Sequence, residues 1–493
     1  MKLVPTLLCD FYKISHRQQY PQGTEIVYST WTPRSGKHAN GITEVVAFGF
    51  QGVLKEITEV FDNGFFNKSK SEVITEYSRV IRSCLFVPNP DTSHIEELHD
   101  LGYLPIKVKA LEEGTLVPFR VPMLTIENTD NKFFWVTNFL ETVLSSNLWK
   151  PSTTATIARQ YRHILNRYAE ETTGSIAGVE FQGHDFSMRG QSGVEDSARS
   201  GVGHLLSFVG TDTIPAIMYA EEFYNADMEK ELIGCSVPAS EHSVMCAGGK
   251  NDELETYRRL IEDVHPTGIV SIVSDTWDLW HVITDTLPKL KDKILARNGG
   301  EDSLDKVVIR PDSGNPADIL CGDANNSDSN ARKGVVELLW DIFGGTVNEQ
   351  GYKVLDSHIG AIYGDSITPI ICEDICKRLK VKGFASTNVV YGIGSYTYQY
   401  ITRDTLGFAM KATSVTINGK ETPIFKDPKT DDGTKKSAKG RVVVSKDESG
   451  ELYYKDETSS KLMVDRKDLL ELIYENGKFV KETSLAEIRD KLK

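Results

Sequence analysis

Between residues 150 and 400, short runs of aliphatic and β-branched residues recur, and each ends in a polar tip before a helical stretch begins. VVIRPDSGNP, residues 307–316, is the clearest case. Val307, Val308 and Ile309 read as a buried strand, and Gly314 and Pro316 prevent it from continuing. Arg310, Asp312 and Ser313 fall at its end. GVEF leads in the same way to His184, Asp185, Phe186 and Arg189, and GIVSIV to Ser274 and Asp275. IGAIY leads to Gly364 and Asp365, and NVVYGIG to Ser395. Helical runs lie between them, such as NDELETYRRLIEDV, whose spacing puts Leu254, Tyr257, Ile261 and Val264 on one face. This alternation predicts βα units closing into a parallel α/β barrel, where functional groups gather at the carboxyl ends of the strands. Asp, Ser or Gly at one tip is also ordinary turn and cap chemistry. Caps do not explain several tips that also carry arginine.

The flanks have other textures. Residues 1–150 mix short strands (TEIVYSTWT, VVAFGF, IKVKALEEG, PMLTIENT) with helical stretches, as an α+β region does. Residues 401–493 contain ATSVTINGKETPIF, a hairpin signal with Asn418 and Gly419 at its turn. A locally basic stretch follows at 426–441, with six Lys or Arg against three Asp; a solvated loop and an anion-binding loop are both open readings. The expected division is therefore 1–150, 151–400 and 401–493.

Composition narrows the function. A net charge of −14 over 493 residues argues against a general nucleic-acid binder, and any polyanion must meet a local basic site. Seven scattered cysteines with no CxxC pair fit a reducing cytosol, with Cys372 and Cys376 as packing residues. The first residues, MKLVPTLLCDFYKISH, carry Pro and Asp inside a short apolar stretch, and no segment approaches 18 apolar residues; neither signal peptide nor membrane anchor is expected. There is no GxxxxGK[ST] loop, and Gly392 and Gly394 lack the third glycine of a dinucleotide fingerprint. Such a pair still suits backbone contact with phosphate. The residues alone point to an α/β enzyme whose anionic substrate meets arginines, lysines and several aspartates, the last suited to Mg²⁺ or sugar hydroxyls.

LLCDFYKISHRQQYP, HDFSMRG, FVGTDT, SVPASEHS, SIVSDTWD, VIRPDSGNP, YGD and IFKDP occur in that order over nearly the whole chain. Together they resemble the nicotinamide phosphoribosyltransferase family. The resemblance implies an irregular parallel α/β barrel plus an α+β domain built from the N- and C-terminal segments. It implies transfer of phosphoribosyl from phosphoribosyl pyrophosphate to nicotinamide, with Mg²⁺, coupling to ATP hydrolysis, and a cytoplasmic homodimer with two shared sites. Nicotinate phosphoribosyltransferase is the nearer alternative, and a catalytically silent nucleotide-binding dimer the farther one.

Roles follow from the same resemblance. Phe186, and Tyr12 from a partner subunit, are expected to sandwich the pyridine ring, with Asp10 beside Tyr12 and Asp212 accepting the carboxamide. Arg189 and Arg310 are expected near pyrophosphate and nicotinamide. Asp312 and Asp365 are expected at ribose hydroxyls or, for Asp312, at Mg²⁺, and Asp275 in the polar network. Gly364, Gly394 and Ser395 are expected along the sugar phosphate, with Ser236, Glu241 and Ser271 among the substrate-binding residues. Arg403, Lys411, Lys426 and Lys435 are expected to form a cationic cage, and His242 to accept phosphate from ATP. The chain departs from the family pattern after Gly394, where SYTYQY replaces small residues.

Overall fold

A computed structural model describes residues 4–300, 303–430, 436–458 and 468–493. Two compact units divide the chain: Met1–Thr156, Tyr219–Ala226 and Ile401–Lys493 form the first, and Ile157–Met218 and Asp227–Tyr400 the second. A 40-residue helix, Phe134–Thr173, carries the chain from one into the other.

The first unit is α+β and draws on both ends of the sequence. TEIVYSTWT, rich in β-branched and aromatic residues, forms the strand Thr24–Thr32. It pairs antiparallel with Leu124–Asn128 on one side and Ala409–Ile417 on the other, within a seven-stranded sheet. The hairpin to Lys420–Pro423 turns at Asn418 and Gly419, both left-handed (φ 48° and 73°), as a two-residue primed turn requires. Trp31 and Phe408 stack at 5.1 Å in a core that includes Phe50, Val108, Ile126 and Leu470. VVAFGF is only partly a strand: Glu44–Val46 is extended, and a helix begins at Phe50.

The second unit carries the predicted βα rhythm. Its six-stranded sheet is wholly parallel, in the order Gly210–Thr211, Gly183–Asp185, Val389–Ile393, Ile359–Tyr363, Lys306–Arg310 and Ile269–Val273. The two outer strands are bridged by one stretch of chain. Cys235 donates its N–H to the Val209 carbonyl (2.7 Å) and accepts from the Thr211 N–H (2.9 Å). Three residues on, the Pro238 carbonyl accepts from Ser271, and the Ser240 N–H donates to the Ser271 carbonyl, each at 2.9 Å. The sheet thereby curls into a barrel whose closing piece is 235–240.

Two local expectations are corrected. GVEF is not the strand: Val179–Phe181 is a 3-10 turn after the left-handed Gly178, and Gly183–Asp185 takes the ladder instead. The run 253–264 is helical, but Arg259–Val264 is a π-turn. Its wider turn shifts the buried face there, so Leu260 and Ile261 are buried while Val264 is exposed; ahead of it Tyr257 is buried and Leu254 exposed.

Candidate active site

A cavity of about 1080 Å³ opens at the carboxyl ends of the parallel strands of the second unit. Phe186, Arg189, Asp212, Glu241, His242, Arg310, Asp312, Gly364, Asp365, Gly394 and Ser395 line it. Five of the six strands contribute residues at or just past their last ladder position, which is why the polar tips of the sequence converge.

At one end lies the ring of Phe186, whose backbone N–H donates to Ile393 (3.0 Å). A Cβ at Gly392 would come within 2.7 Å of that ring, so this glycine makes room for Phe186. Asp212 stands beyond the short strand Gly210–Thr211. Its Oδ1 accepts from His184 Nε2 (2.9 Å) and from Ser236 Oγ (2.5 Å). Burial pushes the Asp212 carboxyl up, but those two hydrogen bonds and the charges of His184 and Arg310 outweigh it and hold the group below the usual range. The His184 ring sits 4.5 Å from that of Phe186.

A second group of side chains is built around Arg310, Asp275 and Asp312. Burial lowers the Arg310 pKa, against the pull of Asp312, Asp212 and Asp275. Its guanidinium donates to the Ser240 carbonyl, while Nε is buried without a partner. Asp275 Oδ2 accepts from the Asp312 N–H (2.8 Å) and Ser313 Oγ (2.5 Å). Its Oδ1 is buried with no hydrogen bond. His242 opens a short helix, His242–Gly248, and points Nε2 between Asp275 Oδ1 (3.9 Å) and Asp312 Oδ2 (3.8 Å). Its Nδ1 meets Thr276 Oγ1 at 3.2 Å. A Cβ at Gly364 would lie 2.5 Å from Asp312 Oδ1, so that carboxylate occupies the space the glycine leaves.

Among the described residues, no three His, Cys, Asp or Glu side chains form a metal cage. The orphaned Asp275 oxygen and the Asp312 carboxylate nevertheless fit Mg²⁺, which keeps waters and takes one or two protein carboxylates beside substrate phosphates.

The remaining expected residues are dispersed. Ser271 lies inside its strand, buried, with Oγ unpartnered. Asp10, Tyr12, Arg403, Lys411 and Lys426 belong to the first unit. There Asp10 accepts from Thr142 (2.7 Å), Tyr12 is 60% exposed, and Lys411 faces Glu141 at 3.7 Å. Lys435 lies outside the described residues. Two tip residues take the bland role: Asp185 is fully buried, bonded to the Ser187 N–H and Thr213 Oγ1, and Ser274 is bonded to Tyr257. The sequence put His184 at a strand tip but gave it no role, although HDF places it one strand period from Phe186. Nor did it give one to Gly190, where a Cβ would collide with the Ser395 side chain; room for the departing SYTY segment comes from across the cavity.

Residues 181–471 match the model of the nicotinate phosphoribosyltransferase (NAPRTase) family, and residues 5–108 the nicotinamide phosphoribosyltransferase N-terminal domain. Fold and site thus define a phosphoribosyltransferase of the NAPRTase type. The chain is 51% identical to a nicotinamide phosphoribosyltransferase of Acinetobacter baylyi, covering 100% of this chain and 97% of that one. It is 38% identical to that of Mycoplasma pneumoniae, covering 88% and 94%. Human nicotinic acid phosphoribosyltransferase has a similar fold (TM-score 0.57, 15% identity, 99% and 93% covered). So does nicotinate-nucleotide pyrophosphorylase of Pyrococcus furiosus (TM-score 0.53, 17% identity, 99% and 94% covered). Within the NAPRTase type, the chain belongs to the nicotinamide phosphoribosyltransferases.

Proposed function

We propose that this cavity joins nicotinamide to the phosphoribosyl group of phosphoribosyl pyrophosphate, giving nicotinamide mononucleotide and pyrophosphate in NAD salvage. The observation that carries the reading is the division of one cavity into an aromatic and carboxylate end (Phe186, Asp212) and a cationic and sugar-binding end (Arg310, Asp312, Gly364, Asp365). The C1–O bond to pyrophosphate breaks, the pyridine nitrogen lone pair forms the new C1–N bond, and no protein nucleophile is needed. Phe186 holds the ring, Arg189 and Arg310 offset charge building on the leaving oxygens, and Asp312 and Asp365 hold ribose hydroxyls. Asp312 would hold Mg²⁺, whose charge would supply further neutralisation.

Asp212 is the selector for the amide. An ionised carboxylate accepts a hydrogen bond from the carboxamide NH₂, whereas nicotinate brings a second negative charge. Two such charges at about 4 Å repel by roughly 4 kcal/mol at an effective dielectric of about 20. Purified protein assayed with phosphoribosyl pyrophosphate, Mg²⁺ and either ring should make mononucleotide efficiently only from nicotinamide. Asp212→Asn should lose efficiency with nicotinamide and narrow the gap. Equal use of nicotinate by the wild type refutes the reading.

Three further parts belong to the same proposal. The enzyme is a homodimer in which the exposed Tyr12 covers the ring in the partner's cavity, with Arg403, Lys411, Lys426 and Lys435 near its phosphates. ATP phosphorylates His242, a reading supported by its exposed ring between two carboxylates that suit Mg²⁺. A cytoplasmic location is supported by seven free thiols, three of them buried. No helix among the described residues is long and apolar enough to cross a membrane.

A further inference from the structure

We infer that His184 is a positioning residue for ring selection: it fixes which oxygen of Asp212 meets the substrate. The inference rests on the reading of Asp212 as the carboxamide acceptor. Both donors to that carboxylate, His184 Nε2 and Ser236 Oγ, converge on Oδ1. Among the described residues Oδ2 accepts no hydrogen bond, and the Asp212 side chain is 44% exposed where it lines the cavity. A carboxylate held by one oxygen on two sides cannot turn about its last torsion without losing both bonds, so Oδ2 is left for the substrate's NH₂. The alternation of the strand Gly183–Asp185 puts His184 and Phe186 on the same side, so one strand end supplies both the ring face and the group that orients the acceptor.

The other titratable groups beside the pair are committed elsewhere. Asp185, next on the same strand, is bonded to Ser187 and Thr213. His204, on the helix Val194–His204, is held neutral by burial, its pKa pushed down to about 4. Its nitrogens are taken by Tyr398 and the Gly210 carbonyl.

The test is the ratio of kcat/KM for nicotinamide to that for nicotinate in the wild type, His184→Gln, His184→Phe and Asp212→Asn. His184→Phe keeps a flat ring without a donor; its KM for nicotinamide should rise about tenfold with little change in kcat, and its ratio should fall. His184→Gln keeps a donor to Oδ1 and should bring the KM and the ratio back toward the wild-type values. A His184→Phe protein with the wild-type KM and ratio, or a His184→Gln protein as impaired as His184→Phe, overturns the inference. If Asp212→Asn leaves the ratio at the wild-type value, the selector reading itself falls. If Asp212→Asn shifts the ratio while His184→Phe keeps the wild-type one, only the role of His184 falls.

Discussion

The ring of Phe186 occupies the place where a side chain at Gly392 would begin. A Cβ built there lies 2.7 Å from the ring and 2.7 Å from the Tyr363 carbonyl oxygen. The ring face of the site is therefore set by the absence of one carbon on a neighbouring strand. Gly392→Ala should push Phe186 out of position, as overpacking a close contact does, and raise the KM for nicotinamide about tenfold or more. The KM for phosphoribosyl pyrophosphate should change little. Steady-state kinetics with each substrate varied in turn checks this, and an unchanged nicotinamide KM would show that the ring seat tolerates the carbon.

Tyr12 is 60% exposed in the first unit, and Arg189 lines the cavity of the second. If each dimer site takes Tyr12 from one subunit and Arg189 from the other, Tyr12→Ala and Arg189→Ala should each be inactive alone. After subunit exchange in an equal mixture, about a quarter of the sites are intact, and activity should return to that level. Failure to recover, with exchange demonstrated by tagged subunits, would count against shared sites.

His242 places Nε2 within 3.9 Å of Asp275 and 3.8 Å of Asp312. His242→Ala should abolish ATP hydrolysis and the ATP-dependent gain in product while leaving slow synthesis without ATP. Intact-protein mass spectrometry after ATP treatment should find an acid-labile phosphate on the wild type and none on the variant. A variant that still responds to ATP would move the phosphate elsewhere.

Glu113, in the first unit, is a buried carboxyl at the start of the helix Phe50–Phe61, accepting from the N–H groups of Gly49 and Gln51. Burial pushes its pKa up to about 7, and those backbone bonds only partly oppose it. A folded-state pKa raised above the unfolded one means the native protein binds the proton more tightly. The contribution to stability is complete below about pH 4.5 and is lost as pH rises through 7, up to about 3 kcal/mol. Glu113→Gln removes the titration, so the fall in unfolding midpoint between pH 5 and 8 should be smaller in the variant. Parallel midpoint curves for the two proteins would show that Glu113 does not titrate in that window.

Much of the second unit was legible because βα repetition and polar strand tips are periodic. Arg310, Asp312, Asp365 and Ser395 meet in one cavity for that reason. The errors came where local hydrogen bonding overrides pattern. GVEF has the composition of a strand, but the left-handed Gly178 starts a turn that satisfies its backbone locally. A π-turn at Arg259–Val264 moves the buried face by a residue that no 3.6 period anticipates. One thing the glycines do was not legible: Gly392 and Gly364 make room for Phe186 and Asp312, side chains distant in sequence, and such steric complementarity has no one-dimensional signal.

The closing piece of the barrel is pinned on both sides, at Cys235 and again at Pro238 and Ser240. That leaves it no slack. Ser236 reaches Asp212 only because it follows the first pin by one residue, and His242 enters its helix two residues after the last. Side chains on an extended backbone alternate faces, so adding or deleting one residue between the pins would turn Ser236 away from Asp212 or shift His242 off its two aspartates. The length of this stretch is thus as much a part of the chemistry as the residues in it. Variants of the chain must therefore keep its residue count as well as the hydroxyl of Ser236.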